Sequence, residues 1–385
     1  MDKPDGFFFL TAEAGFRGKE RPDLAYIGTD RPASAAGVFT RNVFRAAPVL
    51  LARERLESTA PVRGLLVNVG QANACTGEQG IVDCRESLSY VASCLDLEPG
   101  DILPASTGVI GEPLEMERFK HAARSLASSR PVTALDAAQA ITTTDTFPKL
   151  CLRSMDCQSG TIRILGLAKG AGMICPDMAT MLAFVCTDAL ISSDAWRDVL
   201  ASAAEESFNR ISVDGDTSTN DCLLGLANGA SGVQLNEEDW ERFRELMLEV
   251  CLDLSYRIVQ DAEGGTKVLN IEVCGAENNE QAEWAVRSVA HSPLVKTAMY
   301  GLDPNWGRIV AALGRSGAQF DPEDVTLSLS GVILWDKGRV LASHVERQLA
   351  EVMQQREIRI QADLGQGQGQ GQGRSRILTS DLSPE

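Results

Sequence analysis

Two apolar strands joined by a tight loop, between residues 161 and 187, constrain the fold of this chain more than any other segment. Residues 161–169 and 180–187 carry the apolar side chains of buried strands. The loop between them contains two glycines and a proline, which favour irregular turns. The segment therefore predicts a close-packed turn, with Thr180 opening the second strand directly after a small residue.

The rest of the chain mixes short predicted strands and helices. The predicted strands are 35–40, 49–52, 64–70, 103–111, 267–274, 325–334 and 357–364. The predicted helices are 84–95, 114–126, 134–141, 193–211, 236–259, 281–292 and 338–353. Because helices and strands do not alternate strictly, the pattern favours an α+β or layered α/β fold over a TIM barrel. The length of 385 residues suggests two domains or one large layered domain.

One low-complexity run stands apart from this pattern: residues 365–373 read GQGQGQGQG. Glycine and glutamine bury no apolar area, so the run is predicted to be a mobile loop. Its composition indicates a slipped repeat with no function of its own.

The charge balance argues against a polyanionic partner. The chain has 36 lysines and arginines against 53 aspartates and glutamates, a formal net charge of −17. Nucleic-acid backbones require clustered cations, so no nucleic-acid partner is expected. No segment reaches the roughly 18 apolar residues of a membrane span, and the first residues lack the pattern of a signal peptide. The expected location is therefore the cytoplasm, with no membrane partner.

Cysteine and histidine usage argues against a metal site, a redox motif and histidine-based catalysis. The ten cysteines form no CxxC pair, and the three histidines lie in no motif. Asp214, Asp216 and Asp221 cluster in the sequence, but their spacing does not fit a calcium-binding EF-hand loop. Cys175 precedes Thr180 with no histidine to activate it, so it is expected to be a packing residue. No metal and no cofactor are expected.

The threonine that opens the second strand can carry chemistry by itself. A threonine hydroxyl is a poor nucleophile unless a base lies beside it. Cleavage of the peptide bond between Ala179 and Thr180 would turn the Thr180 nitrogen into a free α-amine, whose ordinary pKa is about 8. The same residue would then hold both nucleophile and base. Lys169 would either lower the pKa of that amine by like-charge repulsion or bind a substrate carboxylate.

Residues 168–184 closely resemble the self-processing region of the ornithine acetyltransferase family, the glutamate N-acetyltransferases of arginine biosynthesis. Further segments resemble that family's motifs in the same order, so that the similarity runs from residue 6 to the end of the chain. These segments are 68–77, 106–111, 143–149, 214–221, 261–267, 292–298 and 303–308. The resemblance implies the family's α+β fold, a layered αββα sandwich similar to that of the self-processing aminopeptidases.

The resemblance also implies that the chain cuts itself into two subunits. The cut falls between Ala179 and Thr180. It would give an alpha chain, 1–179, with the oxyanion hole and the loop, and a beta chain, 180–385, with the nucleophile at its N-terminus. The family resemblance further implies an α2β2 heterotetramer of these cleaved chains.

In the implied reaction, Thr180 is the nucleophile and carries an acetyl ester, with its own amine as general base. The Thr107 hydroxyl and the Gly108 N–H group would stabilise the oxyanion. Acetyl would pass from N2-acetylornithine to the enzyme and then to glutamate, in a ping-pong sequence. Some family members also accept acetyl-CoA, and no feature of this sequence decides that point.

Four further residues are predicted to hold the substrates. Lys169 is the candidate partner of an α-carboxylate, and Glu263 of a side-chain ammonium group, because charge-assisted hydrogen bonds fix orientation as well as affinity. Thr144 and Thr146 are candidates for hydroxyl contacts, and the sequence does not choose between them.

Two alternatives to the acetyltransferase remain open at this point. The chain stops at Pro384 and Glu385, where the family continues with an asparagine and a terminal serine or threonine that contact substrate. The first alternative is therefore a C-terminally incomplete, inactive relative of the family. The second alternative is a self-processing amidase or aminopeptidase, which would hydrolyse its substrate instead of transferring an acyl group.

Overall fold

The computed structural model describes residues 3–18, 21–175, 181–342, 345–365 and 373–383. The chain divides into two compact units. The first comprises Met1–Asn209 and Asp216–Ile258, and the second comprises Arg210–Gly215 and Val259–Glu385. The predicted division at 179/180 falls within the sequence range of the first unit and lies outside the described residues, as does most of the glycine–glutamine run.

The elements follow one another as short strands and mostly short helices. The strands are β1 Phe7–Ala12, β2 Leu24–Phe39, β3 Val62–Gln71, β4 Ile102–Val109, β5 Lys149–Cys157, β6 Gly160–Lys169, β7 Leu182–Thr187, β8 Ile211–Ser212, β9 Cys222–Ala227, β10 Val268–Ala276, β11 Thr326–Leu329, β12 Val332–Asp336, β13 Arg339–Val340, β14 Glu357–Asp363 and β15 Gly373–Ser380. The helices are α1 Ala47–Glu57, α2 Gly77–Leu95, α3 Met116–Ser128, α4 Ala134–Ala140, α5 Ser193–Glu206, α6 Glu237–Gln260, α7 Asn279–Ala290, α8 Pro293–Tyr300, α9 Trp306–Gly314 and α10 Glu346–Met353. None of the helices in the described part of the chain combines the length and the apolar character that a membrane crossing requires.

The sheet of the first unit is organised by β2, whose 16 residues take part in two halves of the sheet. The strand order is β4-β3-β2-β9-β7-β6-β5, with β1 also paired to β2. The first part of β2 pairs with β1 and β3, and its last part pairs with β9. The register with β3 shifts between Gly28 and Ala33, which marks the place where the two halves of the sheet separate.

The two halves of this sheet face each other across one apolar core. Phe9 and Ile27 come from the first half, and Phe184 and Leu224 from the second, and all four lie fully buried in the same cluster. Such contact between the inner faces of two sheet layers defines a sandwich.

Helices cover both outer faces of the sandwich. On the first half, Val91 of α2 and Phe119 of α3 pack in one cluster with Tyr26 of β2. On the second half, a Cβ placed on Gly225 would lie 2.6 Å from the Trp196 ring of α5, which shows how closely that helix approaches. Helix α6 approaches β6 in the same way. The predicted layered αββα sandwich is confirmed.

The second unit is built on a separate mixed sheet with the order β13-β12-β11-β14-β10-β15-β8. Strand β10 lies between β14, which is parallel to it, and β15, which is antiparallel. Its inward side chains Leu269, Ile271 and Val273 pack against α7 through residues such as Val286. This alternation of buried and outward side chains is typical of a sheet covered by helices on one face.

Three local predictions are wrong for identifiable reasons. The helix predicted at 338–353 begins only at Glu346, because Arg339–Val340 pair with β12 as strand β13. Residues 49–52 were expected to be a strand and instead belong to α1, because a four-residue apolar run has no periodicity that separates strand from helix. Residues 325–334 form two strands of a hairpin, β11 and β12, instead of one. Ser330 and Gly331 both have positive φ, 45° and 87°, as a tight two-residue hairpin turn requires.

Replacing Gly225 by alanine should destabilise the first unit, because the new methyl group would overlap the buried ring of Trp196. Overpacking of this kind costs about 1–3 kcal/mol. Urea denaturation followed by circular dichroism measures the loss. Gly314→Ala is the matched control, because a Cβ there meets no atom within 4 Å and should leave stability unchanged or slightly higher. Equal stability of the two variants would contradict the packing described here.

Candidate active site

The first part of the candidate site lies where the parallel strands β3 and β4 end together. In their register, Thr107 is opposite Val69 and Gly108 is opposite Gly70. Gly108 has a φ of 135°, and a Cβ on it would lie 2.1 Å from the Gly70 carbonyl carbon. Only glycine therefore fits, because a side chain would collide with the backbone of β3, and Gly108 itself is exposed at the end of its strand.

A buried polar network fixes the backbone next to Thr107. Ser106 donates a hydrogen bond from its hydroxyl to the side-chain oxygen of Asn68. The Asn220 amide nitrogen donates to the carbonyl oxygens of Ala72, at 2.6 Å, and of Ser106, at 2.8 Å. Because Ser106, Asn68 and Asn220 are buried and mutually satisfied, the end of β4 is held by three segments of the chain.

Lys169, the last residue of β6, brings a cation to Thr107. Its side chain is buried, and its Nζ donates a hydrogen bond of 3.3 Å to the Thr107 Oγ1. In the adjoining strand β7 its register partner is Leu182. Two residues predicted to belong to one site, 62 positions apart in sequence, thus lie in contact. Ala179 and Thr180 lie outside the described residues, so their roles stay predictions.

Asp145 is a residue of this region that the sequence did not single out. Its side chain is fully buried, and its Oδ1 accepts hydrogen bonds of 2.7 Å from both the Lys149 Nζ and the Gly170 N–H group. Its Oδ2 accepts a 2.9 Å hydrogen bond from the Thr143 N–H group. The carboxylate therefore joins the turn before β5 to the residue that follows Lys169.

The buried charges shift each other's titration. Burial by itself raises the pKa of Asp145. The Lys169 and Lys149 charges and the hydrogen bonds from Gly170 and Lys149 together lower it more, so the net pKa lies below its ordinary value. Burial lowers the pKa of Lys169, and the carboxylates of Asp145 and Asp221 partly oppose that effect. The pair is thus a buried cation and a buried anion that favour each other's charged form.

The remaining predicted binding residues lie at the surface of their units. Thr144 and Thr146 are exposed on the turn that Asp145 anchors. Glu263 is exposed in the second unit, in the loop that leads to β10. That loop is fixed by Asp381, whose Oδ1 accepts hydrogen bonds of 2.7 and 2.9 Å from the N–H groups of Thr266 and Lys267.

The described residues hold no group of three or more histidine, cysteine, aspartate or glutamate side chains suited to a metal ion. All ten cysteines are described and are free thiols. Burial raises the pKa of the Cys186 and Cys222 thiols far above neutrality, so they are not nucleophiles. Cys175 is buried, and its carbonyl oxygen accepts a 2.8 Å hydrogen bond from the Thr217 hydroxyl.

A hydroxyl, an exposed glycine backbone and a buried ammonium group therefore meet where β4, on one half of the sheet, and β6, on the other half, come to their ends. Such a set can hold an anion or the oxyanion that develops when a carbonyl is attacked. Such an anion-binding set is one of the parts that an acyl-transfer site requires.

Comparison with known proteins gives the family. Residues 9–385 match the ArgJ family model. The arginine biosynthesis bifunctional protein ArgJ of Nitratidesulfovibrio vulgaris is 49% identical over 379 residues, which cover 98% of this chain and 96% of the relative. The protein of the same name from Geobacter sulfurreducens is 45% identical over 383 residues, with 98% and 96% covered. The chain belongs to the ArgJ family.

Two solved structures align with parts of this chain. The crystal structure of arginine biosynthesis bifunctional protein ArgJ from Bacillus halodurans aligns with a TM-score of 0.50 and 35% identity, covering 53% of this chain and 96% of that one. An ornithine acetyltransferase from Mycobacterium tuberculosis, complexed with ornithine, aligns with a TM-score of 0.42 and 31% identity, covering 46% and 93%. The family predicted from the sequence motifs is confirmed, and so is the predicted enzyme class, an N-acetyltransferase acting on amino acids.

Gly108→Ala should destabilise the protein more than Gly111→Ala. Both glycines have positive φ, 135° and 89°, so both substitutions carry backbone strain of about 1–3 kcal/mol. Only position 108 adds a clash with the Gly70 backbone, worth about 1–3 kcal/mol more, since a Cβ at 111 meets no atom within 4 Å. Urea unfolding of the two variants measures the difference, and equal losses would show that Gly108 does not approach Gly70 as described.

Proposed function

We propose that this chain transfers the acetyl group of N2-acetylornithine to L-glutamate through an acetyl ester on Thr180, after cleaving itself between Ala179 and Thr180. The observation that carries the proposal is the 3.3 Å contact between the Lys169 Nζ and the Thr107 hydroxyl. Lys169 lies beside Leu182 in the sheet, and Leu182 follows Thr180 by two positions in the sequence.

The contact orients the Thr107 hydroxyl for an oxyanion hole. An ammonium group only donates hydrogen bonds, so the Thr107 oxygen accepts from Lys169 and its own hydrogen remains to be donated. Together with the N–H group of Gly108, that hydrogen supplies two donors for the oxyanion of a tetrahedral intermediate. The Lys169 ammonium keeps two further donors, which suit the α-carboxylate of an amino acid.

The two half-reactions use the same atoms in opposite order. The Thr180 Oγ attacks the acetyl carbonyl carbon of N2-acetylornithine while the Thr180 α-amine takes the hydroxyl proton. The bond to N2 then breaks, that nitrogen receives the proton, and ornithine leaves. The neutral amine of glutamate next attacks the ester carbonyl carbon, the Thr180 α-amine takes a proton from that nitrogen, and it passes this proton to the Thr180 Oγ as the ester C–O bond breaks.

Self-cleavage uses the Thr180 hydroxyl on the preceding peptide bond. Its Oγ attacks the Ala179 carbonyl carbon, the acyl group moves from nitrogen to oxygen, and water hydrolyses the ester. The products have 179 and 206 residues of the 385. The Bacillus halodurans structure supports this division. Almost that entire chain, 96% of it, aligns with only 53% of this chain, which is close to the share that the longer product would have.

The substrate contacts and the assembly complete the proposal. Glu263 receives the side-chain ammonium group of ornithine, and Thr144 and Thr146 offer hydroxyl contacts from the turn beside Lys169. The relatives are named bifunctional proteins, which supports acetyl-CoA as a second acetyl donor. An α2β2 assembly of the cleaved chains and a cytoplasmic location follow from the family resemblance.

Intact-mass analysis tests the nucleophile. The wild type should give two chains, 1–179 and 180–385, whereas Thr180→Ala should remain one chain of 41.4 kDa and transfer no acetyl group. Thr161→Ala is the matched control, because Thr161 lies at the opposite end of β6 from Lys169 and should leave cleavage and transfer unchanged. Transfer by a wild-type chain that remains uncut would contradict the mechanism.

The alternatives predict different products from labelled N2-acetylornithine. A transferase labels N-acetylglutamate and depends on added glutamate. A hydrolase would release free acetate at the same rate without glutamate, and an inactive relative would release neither product.

Thr107→Val should lower kcat for acetyl transfer by about 10²–10³-fold, the usual cost of removing one oxyanion donor. KM should change little, because the oxyanion exists only after the carbonyl is attacked. Steady-state kinetics on fully cleaved enzyme measure both constants, with Thr161→Val as the control. A variant that loses affinity but keeps kcat would place Thr107 in substrate binding instead.

A further inference from the structure

The buried carboxylate of Asp145 joins three parts of the first unit, two of which carry proposed site residues. Gly170, which it binds at 2.7 Å, directly follows Lys169. Thr143, whose N–H group it binds at 2.9 Å, directly precedes Thr144. Lys149, at 2.7 Å, begins β5, which pairs with β6 along its length. One side chain therefore fixes the lysine strand end against the threonine turn.

The charges that face Lys169 make Asp145 its main counter-ion. Two carboxylates act on Lys169: Asp145 and, from the residue before β9, Asp221. Two cations repel it: Lys149 from β5 and Arg17 from the loop between β1 and β2. Both lysine side chains are buried, so without the Asp145 charge two ammonium groups would share one apolar region.

We propose that Asp145 is a positioning residue for the acetyl-transfer site: it aligns the Lys169 strand end with the Thr144 turn and places a buried carboxylate beside that strand end. An ammonium group binds a substrate carboxylate, and a neutral amine does not bind it comparably. Asp145 thereby sets the alkaline limit of substrate binding. This inference rests on the proposed function, in which Lys169 holds the carboxylate.

The sign of the effect follows from the charges. Burial lowers the pKa of Lys169, and the Asp145 carboxylate raises it again. Removing that carboxylate lowers the pKa of Lys169 further, so the ammonium form disappears at a lower pH. Removing the neighbouring Lys149 cation has the opposite effect, because it takes away a repelling charge.

The experiment is the pH profile of kcat/KM for N2-acetylornithine, which reports groups of the free enzyme. In Asp145→Asn the alkaline limb should move to lower pH by about one unit or more, the usual effect of a close charge. In Lys149→Met the alkaline limb should move to higher pH. Asp188→Asn is the matched control. This substitution removes a buried carboxylate just after β7, at the end of the strand away from Lys169. Asp188 accepts hydrogen bonds there from the N–H groups of Asp5 and Arg163. The alkaline limb of the Asp188→Asn profile should therefore stay in place.

A background with arginine at position 169 separates charge from structure. Arginine stays protonated throughout the range, so Asp145→Asn added to Lys169→Arg should leave the alkaline limb where Lys169→Arg alone puts it. A purely structural role for Asp145 would lower kcat/KM equally at every pH in both backgrounds.

The outcomes separate this inference from the proposed function. Wild-type enzyme that transfers no acetyl group overturns the proposed function. Wild-type transfer with an alkaline limb that stays in place or moves to higher pH in Asp145→Asn overturns the role of Asp145 alone. If Asp145→Asn does not accumulate as folded protein, Asp145→Asn is added to Lys149→Met, which removes the buried ion pair as a whole, and an alkaline limb no lower than that of Lys149→Met alone overturns the role of Asp145.

Discussion

The candidate site depends on one demanding interaction, the burial of the Lys169 ammonium group. Removing an ammonium ion from water costs several kcal/mol unless charges and hydrogen bonds compensate. The Asp145 carboxylate, which accepts a hydrogen bond from the N–H group of the next residue, Gly170, is the opposite charge with the larger effect on Lys169. That carboxylate is buried in turn and needs the N–H groups of Thr143 and Gly170. Loop conformation, strand ends and charge state are therefore determined together.

The architecture brings these groups to one place through close backbone contacts. Strand β2 belongs to both halves of the sheet, so the ends of β4 on one half and β6 on the other belong to one layered sandwich. Gly108 and Gly70 allow β3 and β4 to approach where a side chain would not fit. The rigid sheet therefore carries the hydroxyl of Thr107, and the turn before β5 carries the groups expected to meet substrate.

Much of this was predictable from sequence, and the exceptions have physical causes. The long amphipathic pattern of 236–259 predicted α6, Glu237–Gln260, within one residue. The glycine and threonine motifs identified Thr107 and Lys169, which the structure places in contact. Asp145 lies within the segment 143–149, but its own role was missed because its partner at position 170 becomes a neighbour only in the folded sheet. Strand β15 was missed because its first half is polar and its pairing with β10 supplies the stabilisation that its own side chains do not.

The strand order of the first sheet has a consequence for when the proposed cut can occur. Strands β7 and β9 follow position 180 in the sequence, yet they lie between β2 and β6, which precede it. Neither fragment would keep a continuous sheet alone, since each would lose ladder partners and expose unpaired strand edges. The proposed cleavage between Ala179 and Thr180 therefore requires that the strands before and after this bond have already paired in one sheet. The free amine of Thr180 would therefore form only in correctly folded chains. A misfolded chain would keep the peptide bond intact and would remain inactive.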